Sequence, residues 1–107
     1  MLTTTSYTDQ QNNTIIKFYT LVNTWRNDVK LSSSIERIAM HPSYQEIIGM
    51  GEKVVPLILG EMKKTPDHWF WALISITGEN PVPQRYQGNM SKMTEIWLDW
   101  AKIKYGE

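Results

Sequence analysis

From Asn13 onward the apolar residues Ile15, Phe18, Leu21, Val22, Trp25 and Val29 fall three or four positions apart, which is the spacing of one face of a helix. Leu31-Ser32-Ser33-Ser34 interrupts that pattern and supplies an N-cap for a short helix through Ile35, Ile38 and Ala39. His41-Pro42 is the next break, because proline disfavours helix in its predecessor yet fits the first turn of the helix that follows. A second short helix is predicted over Ser43 to Met50, turning Tyr44, Ile47 and Ile48 inward. Gly49 and Gly51 bracket its end, and Val54, Val55, Leu57, Ile58, Leu59 and Met62 then form a broad apolar stripe, with Pro56 confined to its first turn.

Thr65-Pro66-Asp67 reads as a turn that ends in an N-cap, so the next helix is predicted over His68 to Thr77 with Gly78 as its stop. Trp69, Phe70, Trp71, Leu73, Ile74 and Ile76 cover nearly every side of it, and neighbours are expected to surround it. Gly78 to Gly88, with Pro81 and Pro83, is too rich in proline for helix or central strand and is expected to cross the surface in an ordered, extended path. The last helix, about Met90 to Tyr105, presents Met93, Ile96, Trp97, Trp100 and Ile103 on one face. No useful length alternates in the manner of a strand. The prediction is all-α: a compact bundle of about five to six helices over residues 13–107, preceded by a flexible polar tail at 1–12.

With 107 residues the chain has the size of one domain, large enough to bury a core without staples. Five tryptophans point to an aromatic-rich interior. The lack of cysteine excludes disulfides, thiolate zinc sites, iron–sulfur clusters and cysteine nucleophiles together, and fits a reducing cytoplasm. Residues 1 to 13 have neither the basic start nor the apolar stretch of a secretory signal, and no run approaches the roughly 20 apolar residues that span a bilayer. A cytoplasmic protein without a membrane partner is expected. Eleven basic side chains balance eleven acidic ones and no basic tract occurs, which disfavours binding to nucleic acid.

Gly51 to Leu59, followed by a turn and then by Trp71-Ala72-Leu73 and Ile76-Thr77-Gly78, resembles a HEAT-type helical hairpin, in which the second helix carries Ala-Leu before a closing glycine. A single such unit needs flanking helices to cover its faces. The segments His41-Pro42-Ser43-Tyr44-Gln45, Ile48-Gly49-Met50-Gly51, Asp67-His68-Trp69-Phe70-Trp71-Ala72-Leu73 and Ile76-Thr77-Gly78-Glu79-Asn80-Pro81-Val82 together resemble a group of small bacterial proteins of unassigned function. That resemblance runs over roughly residues 18 to 104. It implies a bacterial or mobile-element origin and brings no catalytic residues with it.

Candidate chemistry is sparse. His41 and His68 are the only histidines, and a two-histidine, one-carboxylate metal site with Glu79 or Asp67 matches no helical motif. Ser32 to Ser34 read as caps rather than nucleophiles, and Gly49-Met50-Gly51-Glu52 lacks the further glycine and lysine of a phosphate loop. No catalytic residue, metal ligand or cofactor is therefore assigned. Three consecutive rings on one helix cannot point the same way, since neighbours differ by about 100°, and at least one is expected to reach a surface or groove. The proline-stiffened loop after Gly78 combines charge, hydrogen-bonding groups and a ring on a segment that loses little entropy on binding. The candidate partner-binding residues are accordingly His68, Trp69, Trp71, Glu79, Asn80, Arg85 and Tyr86. The expected function is a non-enzymatic protein-interaction module or small adaptor. The rival is a small DNA-binding regulator or antitoxin-like protein using Ser34 to Met50 as a helix-turn-helix.

Overall fold

A computed structural model describes residues 7–106, and within them the regular structure is all helical, with no strand. The helices are α1 (Tyr7–Val29), α2 (Ile35–Met40), α3 (Pro42–Gly49), α4 (Val55–Lys64), α5 (Phe70–Thr77) and α6 (Met90–Tyr105). Two short 3₁₀ turns, Gly51–Val54 and Gln84–Tyr86, sit in the connections. No helix among the described residues is long and apolar enough to cross a membrane.

The caps follow from side chains close by in sequence. Ser34 accepts the backbone N–H of Arg37 at the start of α2. The Nδ1 atom of His41 accepts the Ser43 N–H at 3.0 Å, while Nε2 lies 2.8 Å from Asp28 on α1. Because Nδ1 accepts a backbone N–H it is unprotonated, so the proton of the neutral ring sits on Nε2 and is donated to Asp28. One histidine thus starts α3 and ties it to α1. Pro56 stands in the first turn of α4. Gly78 closes α5 at a φ of 74°, a left-handed conformation that costs glycine nothing.

Helix α1 begins at Tyr7, within the segment expected as a tail at 1–12. Residues 1–6 lie outside the described part of the chain. Once the apolar half of α1 has nucleated, each further residue adds a hydrogen bond, so the polar half extends without needing an apolar face. Thr14 adds a bond from its hydroxyl to the Gln10 carbonyl at 3.0 Å. From Gln10 onward the first buried side chain of α1 is Phe18.

Helix α3 lies at the centre, packed on α1, α2 and α5, while α4 packs on α6. The two segments that carry the hairpin resemblance are α4 and α5, but α5 packs chiefly on α3. Four rings meet where these helices converge. Trp69 lies 4.7 Å from Trp25 and 6.0 Å from both Tyr44 and Phe18, centroid to centroid, and all four are buried. The Trp25 indole donates to the Ile38 carbonyl at 3.0 Å, fastening α2 to the same cluster.

The start of α5 differs from the expectation of an Asp67 cap. Helix α5 begins at Phe70 and has no capping side chain of its own. Asp67 instead accepts the His68 N–H at 2.7 Å and a bond from Arg26 Nε at 3.2 Å, and Arg26 also reaches Glu61 at 2.9 Å. The cap comes from another helix. The Tyr44 hydroxyl on α3 accepts the Ala72 N–H at 2.9 Å and donates to the His68 carbonyl at 2.9 Å. Burial pushes the Tyr44 phenol well above its usual range, outweighing the opposite pull of the Ala72 N–H.

Replacing Tyr44 by Phe keeps the ring and orphans both backbone groups, so urea melts are expected to show a loss of about 1–3 kcal/mol. A folded-state pKa above the unfolded value of 10.0 means that this group's stabilisation is complete below pH 10 and is lost as pH rises further. Above pH 10 the wild type is therefore expected to lose stability more steeply than Tyr44→Phe, by up to about 1.4 kcal/mol per pH unit. Equal slopes would show that the hydroxyl is not held protonated by the fold.

Candidate functional site: an uncharged groove

Helix α5 is not surrounded as its composition suggested. Ala72 and Leu73 are buried against the core, whereas Trp71 is 41% exposed and Ser75 is also exposed. The reason is geometric: α2 and the start of α6 stand apart beside this face and leave a groove of about 360 Å³. Ile35 and Ile38 of α2 line it on one side, Trp71 and Ile74 of α5 form another, and Met90 and Met93 of α6 complete it. Gly88 lines the same groove and turns the chain into α6 at a φ of 88°.

No Asp, Glu, Lys or Arg contributes to the lining, and His68 is its one titratable side chain. Ser75 and Gln87 add the other polar side chains. Ile35, 55% exposed, and Trp71 are the most exposed large apolar groups of the lining. The arrangement is chemically suited to holding an apolar, uncharged group and unsuited to fixing a phosphate or a metal.

Of the residues singled out from sequence, His68 and Trp71 come together in this groove. Trp69 does not: it is fully buried in the ring cluster and no partner can touch it. The loop residues form contacts within the molecule. Glu79 accepts the Trp100 indole N–H at 3.0 Å and a bond from Lys104 Nζ at 2.9 Å, strapping the loop to the end of α6. Asn80 accepts the Val82 N–H at 3.2 Å. The Arg85 guanidinium lies 4.8 Å and the Lys92 ammonium 5.3 Å from the Tyr86 ring centre. These two cations hold the Tyr86 phenol below its ordinary range, Arg85 foremost.

His41, His68 and Glu79 keep separate company: His41 bonds to Asp28 and Ser43, His68 lines the groove, and Glu79 bonds to α6. Among the described residues no group of three His, Cys, Asp or Glu side chains is placed to hold a metal. Ile35, Ile74, Met90 and Met93 were missed in the sequence. Each occupies an ordinary apolar helix position, and only the packing of three helices shows that it faces a gap.

Comparison with protein-family models, with curated proteins and with solved structures finds no match. The fold and this groove therefore stand on their own geometry.

The Lys104 and Trp100 bonds hold the Glu79 carboxyl below its ordinary value of 4.5. A depressed folded-state pKa means that the strap's contribution is present above that value and is lost as pH falls through the folded one. Glu79→Gln at neutral pH is expected to speed amide exchange over residues 80–88 while leaving Ala72 and Leu73 protected. Unchanged exchange in the loop would show that the strap does not order it.

Proposed function

We propose that this chain is a non-enzymatic protein-interaction module or small adaptor of the bacterial cytoplasm, and that a protein partner inserts an apolar side chain into the groove between α2, α5 and α6. The observation that carries this reading is the uncharged lining combined with the half-exposed Trp71 and Ile35 at its edge. Exposed apolar surface beside a concavity marks interaction sites, and tryptophan is the residue most enriched among the few that dominate binding energy. The cavity falls at the lower end of the range for ligand sites, about 300–1,000 Å³. That suits the apolar anchor of an amphipathic helix laid across the groove, with further contacts on its rim.

Catalysis is less well supported, because the groove sets His68 among aliphatic and aromatic side chains without a carboxylate. The DNA-binding alternative also has less behind it. Helices α2 and α3 are separated by His41 alone, where a helix-turn-helix has a turn of about 3–4 residues, and α3 carries Glu46 but no Lys or Arg. The resemblance to small bacterial proteins of unassigned function adds an origin and no activity.

Peptides selected from a random library against the wild-type protein are expected to carry large apolar anchors and to shift the amide resonances of Phe70 to Ser75 and Gln87 to Met93. Trp71→Ala, at a half-exposed position, should weaken their binding at least about tenfold, or about 1.4 kcal/mol, with little change in melting temperature. Selected peptides that map elsewhere, or that bind Trp71→Ala as well as the wild type, would overturn the reading.

A further inference from the structure

Helices α4 and α6 leave a second groove, of about 980 Å³, that shares no lining residue with the first. Leu59 and Leu98 supply apolar lining, and Gly60 and Ala101 add little bulk beside them. A Cβ added at Gly60 would find nothing within 4 Å, so the position faces free space. Four charged side chains line the groove: Lys63, Glu95, Asp99 and Lys102. Among the described residues Lys63, Asp99 and Lys102 take part in no ion pair, and Glu95 pairs only with Lys92 of its own helix, at 3.0 Å.

We infer that this face is where a second copy of the chain docks, with the two α6 helices antiparallel. The lining carries two positive and two negative groups, so a strongly acidic or basic partner meets as much repulsion as attraction. A second copy presents the same mixture, and a two-fold contact requires a patch to complement itself. The order of charges along α6 meets that requirement. Glu95 lies before Leu98 and Lys102 after Asp99. A two-fold axis passing between Leu98 and Asp99 brings Glu95 opposite the partner subunit's Lys102, and Lys102 opposite the partner subunit's Glu95. A parallel arrangement would set like charges against each other. Charges of this kind fix register and orientation, while Leu98 and Ala101 supply apolar contact and the bare Gly60 lets a neighbouring helix approach closely. The 16 residues of α6 give the contact a length of about 24 Å.

Sedimentation equilibrium on the full chain, from micromolar to about millimolar protein, tests the inference. The expected result is a reversible rise to twice the mass of one chain. Gly60→Gln projects a side chain into the groove and suits a helix better than glycine. It should raise the dissociation constant at least tenfold, with circular dichroism and melting temperature retained. Lys102→Glu should weaken association at least tenfold by facing two carboxylates across the axis, and the swap Glu95→Lys with Lys102→Glu should restore it. A single-chain mass at every concentration would overturn the inference. So would a dimer indifferent to Gly60→Gln, or a swap that fails to restore what Lys102→Glu removes. None of these substitutions touches the lining of the first groove, so peptide binding there is a separate readout.

Discussion

The Tyr44 hydroxyl, carried on a ring packed against Trp25 and Trp69 and bonded to two backbone groups at the start of α5, is the contact on which the rest of this structure depends. The first turn of a helix has N–H groups with no partner inside the helix. In α5 the residue at the capping position is Trp69, which has nothing to offer them and is itself needed in the core. The phenol solves both problems. It takes the Ala72 N–H and satisfies the His68 carbonyl, and its ring packs 6.0 Å from Trp69. Arg26 fixes the same connection from outside through Asp67 and Glu61.

This way of holding α5 determines what its other face can do. Trp69, Ala72 and Leu73 point into the core and are not free to move. Trp71 is then turned outward by helical geometry, since neighbouring positions differ by about 100°, and Ile74 packs at the edge of the core beside it. They meet a gap because α2 has only six residues and ends at His41-Pro42. The groove is therefore a consequence of a short helix and a rigid one set side by side. Its shape should persist without a ligand, which reduces the ordering cost of binding.

Much of the architecture was legible in the chain. Helix α6 was readable at both ends because Asn89 caps it locally and its apolar stripe is unbroken. The same holds for the caps at Ser34 and at His41-Pro42, whose partners lie two or three residues away. What could not be read depends on distant partners. Asp67 looks like a helix cap and serves Arg26 instead, a residue 41 positions earlier. Trp69 looked available to a partner because the order Trp-Phe-Trp says that the rings diverge but not which one faces inward. The polar residues after Tyr7 looked like a tail because they have no apolar face, yet they prolong a helix that the core has already started. For the site, His68 and Trp71 stood out by their chemistry. Ile35 and Met93 lie far apart in sequence and become groove residues only when α2 and α6 flank α5.

Native-state hydrogen exchange at the Ala72 amide reports most directly on the phenol's role. This N–H sits in the first turn of α5, where amides ordinarily lack a helical acceptor and exchange fast. Protection of Ala72 close to that of Leu73, within about tenfold, is the predicted result. An Ala72 amide exchanging as freely as those of Phe70 and Trp71 would mean that the Tyr44 hydroxyl does not hold the helix, and the fixed aim of Trp71 into the groove would lose its cause.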